Sequence, residues 1–250
     1  MPESREIAIE EARELVSNEL LWPRVRDFLY DFAPQVHGSW IDNEKLGSLE
    51  VWKFGGLENG QTSKLQSLSS SARVKEFILG SLGVTPFFHT FPKDDGSRLA
   101  LLDGATLESV VKWLGALALA DELRRVTDGA TVRALKAALP GVYPDVFGYV
   151  AYFRGLEVLK LGSLEVETVD GEKNIAETVI STGYAILFSA VSDLPASLVS
   201  RLRLKLPDRE TSKPLNLQSS IETSKPLNLQ TSILKLLKLK FPKDYALCCS

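Results

Sequence analysis

The chain has 250 residues, and its 29 Lys and Arg against 32 Asp and Glu give a formal net charge of −3 at pH 7. Apolar residues make up 44% of it, which suffices for a sizeable core and excludes disorder throughout. The two cysteines, adjacent at Cys248 and Cys249, cannot build a disulfide framework, which is typical of a cytoplasmic protein. No apolar run approaches the roughly 20 residues that span a bilayer, so we expect no transmembrane segment.

Charge divides the chain into an acidic body and a basic end. Residues 201–250 carry ten Lys and Arg against four Asp and Glu, a net charge of +6, whereas residues 1–200 carry 19 against 28, a net charge of −9. The basic end contains a repeat, ETSKPLNLQSSI at 210–221 and ETSKPLNLQTSI at 222–233. Two copies are too few for a solenoid, which needs about three to bury a core. We therefore predict a helical domain over 1–207 and a basic, partly repeated, poorly packed extension over 208–250.

The first hundred residues predict short elements separated by loops. A stripe of apolar residues with acids in the first turns predicts a helix over 4–21, and prolines bound a second helix over 25–32. Apolar spacing predicts a further helix over 72–83, and residues 50–54 fit a short strand. Glycine-rich and serine-rich stretches between them predict loops.

The centre of the chain predicts a core helix. Residues 106–126 are apolar nearly all round until the acids near their end, a pattern typical of a helix buried on most sides. A turn at Asp128-Gly129 leads to a helix over 131–139. Pro144 then suits the first turn of another helix, with Val146, Val150 and Phe153 on one face.

The distal third predicts more helix than strand. Residues 157–169 alternate weakly and predict an extended segment, and residues 175–191 predict an amphipathic helix. Another helix follows from Pro195 and leads into RLRLKLP at 201–207, whose period of two predicts an exposed strand or a fraying helix end. The fold class is therefore mainly α, a compact multi-helix domain with a few short extended segments and an irregular repeated tail.

The chain lacks the patterns of common enzymes. It has no phosphate-binding loop, no Rossmann glycine pattern and no His pair at zinc spacing. Its only histidines are His37 and His89, and His37, near Trp40, is most simply a structural residue. We predict no catalytic residue, no cofactor and no metal.

Two basic segments leave other functions open. Helices at 117–127 and 131–139, joined by a short turn, form a helix-turn-helix pattern in which Arg124 and Arg125 would contact phosphates. The acidic body argues against this DNA-binding or regulatory alternative, because nucleic-acid binding needs a positive footprint. Residues 232–243, SILKLLKLKFPK, combine leucines with four lysines, a composition that fits an anionic membrane, an acidic partner or a solvated end.

Three segments, taken in order, carry a family pattern. Residues 32–40 read Phe32-Ala-Pro34-Gln-Val36-His37-Gly-Ser39-Trp40. Residues 98–126 place a leucine-rich stretch before Arg124-Arg125-Val, and residues 183–207 run from Gly-Tyr-Ala-Ile-Leu to RLRLKLP. In this order the segments resemble the SctK family of bacterial type III secretion accessory proteins, the YscK/PscK type. Residues 41–71 and 208–250 have no counterpart in that pattern.

The resemblance implies a mostly helical, non-enzymatic adaptor in the cytoplasm, within the sorting platform at the cytosolic face of the bacterial inner membrane. Its implied partners are an SctD-type protein of the inner-membrane ring and the SctQ-type pod protein, and indirectly SctL and the ATPase. Nucleic acid is not an expected partner. The candidate partner-binding residues are Arg124 and Arg125, together with a family-specific patch that is either structural or partner-facing: Phe32, Pro34, His37 and Trp40.

Overall fold

The computed structural model describes residues 21–30, 32, 35–40, 95–153, 175–208 and 229–248, together with Glu19 and Gly80. These residues form α-helices and short 3-10 helices, with no strand among them, and they confirm the predicted mainly α class. Apart from isolated positions, four predicted elements fall outside the described residues: the helices over 4–21 and 72–83 and the extended segments 50–54 and 157–169.

The described helices lie in four stretches of chain, within residues 21–40, 95–153, 175–208 and 229–248. The α-helices are α1 (Leu21–Tyr30), α2 (Asp95–Arg98), α3 (Gly104–Ala118), α4 (Ala120–Arg125), α5 (Gly129–Ala138), α6 (Ile175–Ala190), α7 (Ala196–Leu204), α8 (Leu229–Lys240) and α9 (Pro242–Cys248). The 3-10 helices are Gly38–Trp40, Leu99–Leu101, Asp145–Gly148 and Val150–Phe153.

One compact unit comprises residues 1–103, 195–208 and 246–250. Its described core is formed where α1 and α7 pack on the 3-10 helix Leu99–Leu101. Pro23 lies in the first turn of α1, where proline removes no intrahelical hydrogen bond. The fully buried apolar side chains of this unit include Val25, Phe28, Leu99, Leu198 and Leu202.

The second unit comprises residues 104–194 and 209–245, and it is organised around α3 and α6. The backbones of these two helices approach closely at Gly115 and Gly183. A Cβ atom on Gly115 would lie 1.8 Å from the carbonyl oxygen of Val179, and one on Gly183 would lie 2.0 Å from that of Val111. Only glycine therefore fits at either position of this crossing.

Three predicted helices are confirmed with small shifts of their ends. The helix predicted over 25–32 is α1, the one over 131–139 is α5, and the one over 175–191 is α6. Each shows the expected apolar stripe facing the core, as Leu135 does in α5. Helices α1 and α5 each bury one face and expose another, whereas α6 is buried on all sides over residues 182–187.

The centre of the chain differs from the prediction of one continuous helix over 106–126. At Leu119 the backbone leaves helical geometry, with φ −104° and ψ 21°, so that α3 ends at Ala118 and α4 begins at Ala120. Helix α4 buries Ala120 and Leu123. An apolar pattern that continues through such a break does not reveal it.

The helix predicted after Pro144 is also corrected. The chain forms the two short 3-10 helices of residues 145–153 in place of one α-helix. The three side chains expected to share its apolar face, Val146, Val150 and Phe153, are nevertheless all buried. The apolar positions were right and the helix type was wrong.

The segment RLRLKLP at 201–207 is neither a strand nor an exposed end. Its first four residues complete α7, and Arg201 and Lys205 are 0% and 1% exposed. On a helix, residues 198, 201, 202 and 205 share one face, so this face carries two leucines and two cations into the core. The period of two is a coincidence of alternating leucines and basic residues.

The C-terminal extension contains a packed helix, which corrects the expectation of poor packing for residues 229–240. Helix α8 packs on α3 and α6, and it buries Leu229, Ile233, Leu236 and Leu237. These positions recur at helical spacing, which explains why α8 has one apolar face. Among the described helices, none combines the length and the apolar content that a membrane crossing requires.

Candidate partner-binding site

The candidate motif begins at Phe32, which lies in the core. Its side chain is 2% exposed, and its ring meets that of Phe28 edge to face, with centroids 5.7 Å apart. Aromatic pairs prefer this geometry because the positive edge of one ring faces the negative face of the other. Phe32 therefore anchors the motif internally, while Pro34 lies outside the described residues.

The second half of the motif is bound to the end of α7. The backbone N–H of His37 donates to the carbonyl of Leu204 at 2.7 Å, and the indole Nε1 of Trp40 donates to the carbonyl of Leu206 at 2.7 Å. The guanidinium of Arg203 lies over the Trp40 ring at 5.8 Å. These contacts satisfy carbonyl groups at a helix C-terminus, where the last four have no intrahelical donor.

A chain of polar contacts orients the His37 ring. The N–H of Asp208 donates to Ser39 Oγ at 2.8 Å, and Ser39 Oγ lies 2.8 Å from His37 Nδ1. The N–H of Ser39 also donates to His37 Nδ1, at 3.2 Å. Because Nδ1 accepts hydrogen bonds, the proton of the neutral ring belongs on Nε2. His37 and Ser39 thus hold the motif to residue 208, and they show no nucleophile–base arrangement aimed at a cavity.

Two buried cations, Arg201 and Lys205, lie beneath the motif. The guanidinium of Arg201 donates to the carbonyl of Phe28 and lies 5.1 and 5.0 Å from the ring centroids of Phe28 and Phe32. Lys205 Nζ donates to the carbonyls of Ala100 at 2.6 Å and Leu102 at 2.9 Å. Aromatic faces and carbonyl oxygens are the groups that partly replace water around a buried cation.

Burial changes the acidity of both cations. Desolvation lowers the pKa of Lys205 to about 7, and the charges of Arg24 and Arg201 act in the same direction while Asp103 opposes them. Desolvation also lowers the pKa of Arg201 to about 10, so its guanidinium keeps its charge at neutral pH. A helical wheel would have found both residues, since they lie four apart on the same face as Leu198 and Leu202.

Arg124 and Arg125 lie on the surface, in the other unit from the Phe32–Trp40 motif. Arg124 Nη1 pairs with Asp121 at 3.2 Å, and its guanidinium lies 5.5 Å from the ring centroid of Phe147. Arg125 is exposed in the last turn of α4. Phe32, His37 and Trp40 therefore belong to one compact unit, and Arg124 and Arg125 belong to the other.

Titratable side chains were compared across the described residues. No group of three or more His, Cys, Asp or Glu side chains is placed there to hold a metal ion. The strongest perturbation of a titratable group is that of Lys205, whose amine is bound to two backbone carbonyls in the core. The lowered pKa of Lys205 is explained by its burial in the core.

A comparison with known protein families identifies the relatives of the region that contains the Phe32–Trp40 motif. The family model described as YOP proteins translocation protein K (YscK) matches residues 27–142. This region belongs to the YscK family. No curated protein and no solved structure matches the chain.

The match relates residues 27–142 to a family of type III secretion system components. The matched region includes the Phe32–Trp40 motif and the helices α3, α4 and α5, so two of the three segments that carried the resemblance are confirmed. The match ends at residue 142, and the similarity of residues 183–207 to the closing region of the family stays a prediction. Segments outside the match nevertheless pack on the YscK-family region, since α7 binds the motif and α6 crosses α3.

Proposed function

We propose that the protein is a non-enzymatic adaptor of the type III secretion sorting platform. In this role it binds an SctD-type protein of the inner-membrane ring and the SctQ-type pod protein, and through the pod it is connected to SctL and the ATPase. It acts in the cytoplasm, at the cytosolic face of the inner membrane. The observation that carries the proposal is the YscK-family match over residues 27–142.

The architecture suits a protein that works by docking. Each of the two compact units has a buried core of its own, and each exposes helical surface. An adaptor needs two separate surfaces and rigid elements to present them, because contacts on preordered helices lose little conformational entropy on binding. Such a scaffold needs no catalytic group.

The motif residues divide between support and contact. Phe32 is buried, and Trp40 donates its indole N–H to the carbonyl of Leu206, just after α7. Both observations favour a supporting role for these residues. His37 and Arg125 keep partly or fully exposed side chains and are the better candidates for contact with a partner. Substitutions of Phe32 are therefore expected to act through stability, and substitutions of Arg125 through binding.

The test is co-purification of the full chain with the SctD-type and SctQ-type proteins of the same secretion system. We expect both to be retained, and we expect deletion of the gene to abolish secretion of effector proteins. Retention of neither protein, under conditions in which SctQ binds SctL, would refute the proposal. Arg125→Glu tests the exposed candidate residue of α4. Lys136→Glu, a charge reversal at an exposed position of α5, is its matched control.

The helix-turn-helix alternative finds less support in the arrangement of charges. Helices α4 and α5 do follow each other across a short turn, but α4 has only six residues. Asp121, Glu122 and Asp128 lie beside the basic residues, and Asp121 already pairs with Arg124. A salt-dependent affinity for duplex DNA, lost on Arg124→Ala with Arg125→Ala, would favour this alternative.

A further inference from the structure

Two large apolar side chains stand out on the surface of the described residues. Tyr152 is 59% exposed and Leu239 is 44% exposed. Single exposed apolar residues need no explanation, but both of these adjoin the same lysine. The Nζ of Lys235 donates to the carbonyl of Tyr152 at 2.8 Å, and Leu239 lies four residues after Lys235 on helix α8. The two exposed apolar groups therefore belong to one surface.

The rest of this surface is basic. The exposed positions 231, 235, 238, 239 and 242 share one face of the α8–α9 segment, opposite the buried face at 229, 233, 236 and 237. Lys235 and Lys238 lie on this face, and the exposed Lys243 follows one residue beyond it. Within the described residues, none of these three lysines forms an ion pair. We call the surface formed by Tyr152, Lys235, Lys238, Leu239 and Lys243 the basic face.

The basic face is held in place from below. The Nζ of Lys240 lies 4.2 Å from the Trp113 ring centroid and 3.9 Å from that of Tyr149, so this lysine fastens the end of α8 to the core. The Lys235–Tyr152 hydrogen bond fastens its middle. A surface that is ordered before binding loses less entropy when a partner docks.

We propose that the basic face docks an acidic protein surface, in which carboxylates surround a small apolar contact. The partner is one of the two proteins named in the proposed function, on which this inference rests. Charge complementarity carries the proposal, because the face presents three lysines around a tyrosine and a leucine. Tyrosine is enriched at the energetic centres of protein interfaces, where a polar rim shields an apolar contact from water.

A membrane is the less suitable occupant. Sequence clusters that bind anionic lipid headgroups hold roughly four to eight Lys and Arg. The basic face has three exposed lysines with Asp244 beside them, and Leu239 and Tyr152 are its only large exposed apolar groups among the described residues. A second copy of the chain is the other possible occupant, since residues 1–200 carry a net charge of −9.

The experiment measures the affinity of the full chain for the SctD-type cytoplasmic domain and for the SctQ-type protein, at two salt concentrations. The variants are Lys238→Glu and Leu239→Ser, with Lys136→Glu as the matched reversal at an exposed lysine of α5. We expect Lys238→Glu to weaken binding to one partner about tenfold or more, and Leu239→Ser to weaken it severalfold. Binding to the other partner and the Lys136→Glu affinities stay within about twofold, and the wild-type affinity falls as salt screens the charges.

Each outcome separates this inference from the proposed function. If the wild type binds a partner and both variants bind it equally well, the basic face is not the docking surface, and the adaptor role stands. If the wild type binds neither partner, the adaptor role itself fails. The inference is also overturned if the variants keep their affinity for the partner but lose binding to vesicles of anionic phospholipid. The same holds if they keep that affinity but lose self-association in sedimentation. Circular dichroism of each variant shows that the change is not one of folding.

Discussion

The buried amine of Lys205 leads to a prediction about the pH dependence of stability. Its pKa in the folded chain is about 7, whereas that of an exposed lysine is about 10.4. Between these values the unfolded chain binds more protons than the folded chain, so the free energy of unfolding rises with pH. From pH 7 to pH 9 the contribution of this one group is about 2 kcal/mol, from the linkage relation with these two pKa values.

The arrangement around Nζ explains why the neutral amine is well accommodated. Its two acceptors are the carbonyls of Ala100 and Leu102, and a neutral amine retains two N–H groups to donate to them. The ammonium form carries a third hydrogen and a full charge into a site that is 1% exposed. Raising the pH therefore removes the desolvation cost and leaves both hydrogen bonds in place.

The substitution Lys205→Met removes the titrating group and retains most of the side-chain volume. We expect the variant to lose hydrogen bonds to two carbonyls, which costs about 1–3 kcal/mol, and to lose the stability rise of about 2 kcal/mol between pH 7 and pH 9. The measurement is urea denaturation followed by circular dichroism at pH 7, 8 and 9. The difference between wild type and variant cancels the titration of all other groups, the two cysteines included.

Lys136→Met is the matched control, because it makes the same substitution at an exposed lysine. It should leave the rise of stability from pH 7 to pH 9 unchanged. Equal pH dependence in the wild type and in a folded Lys205→Met chain would refute the reasoning. A lysine resonance that titrates near pH 7 in the NMR spectrum of the wild type, and is absent from Lys205→Met, would identify the group directly.

Three further substitutions test the packing. Gly115→Ala should destabilise by about 3 kcal/mol or more in thermal or urea unfolding, since its Cβ would lie 1.8 Å from the Val179 carbonyl oxygen, whereas Gly148→Ala has open space and should be nearly neutral. Asp128→Ala should lower the melting temperature because this side chain caps α5, and Asp128→Asn should largely retain it. The hydrogen bonds that Asp128 accepts lower its pKa, so the stabilisation by this cap should fade as the pH falls below 4. Trp40→Phe should cost about 1 kcal/mol in urea unfolding by removing the indole hydrogen bond to α7, and a variant as stable as the wild type would contradict that assignment.

Helical periodicity predicted much of the described fold. It worked for α1 and α5 because each has one face in the core and one in water, which is the arrangement that the pattern records, and it located α6 although residues 182–187 of that helix are buried on all sides. It did not register the break at Leu119, since apolar residues continue on both sides of it. The apolar pattern records burial, and burial continues across the break, at Leu117, Leu119 and Ala120.

The candidate site was predictable in part. The motif from Phe32 to Trp40 pointed to the right segment, because an aromatic, a histidine and a tryptophan close together favour a specific structure. Its binding to α7 was not predictable, since the acceptors lie about 170 residues away in the chain. A helical wheel places Lys205 on the buried face of α7, but its two carbonyl acceptors lie about a hundred residues earlier in the chain, and no pattern near residue 205 reveals them.

The YscK-family region depends on segments beyond its own ends. Within one unit, Phe28 and Phe32 are covered by Arg201 and Lys205 of α7, and the carbonyls at the end of α7 are satisfied by His37 and Trp40. Within the other, α3 reaches its closest packing only against α6. A chain limited to residues 27–142 would expose both surfaces to water, and an uncovered core helix this apolar favours association over folding. The boundary at which the family pattern fades is therefore not a boundary of the folded structure, and residues 195–208 supply part of the core beneath the family's motif.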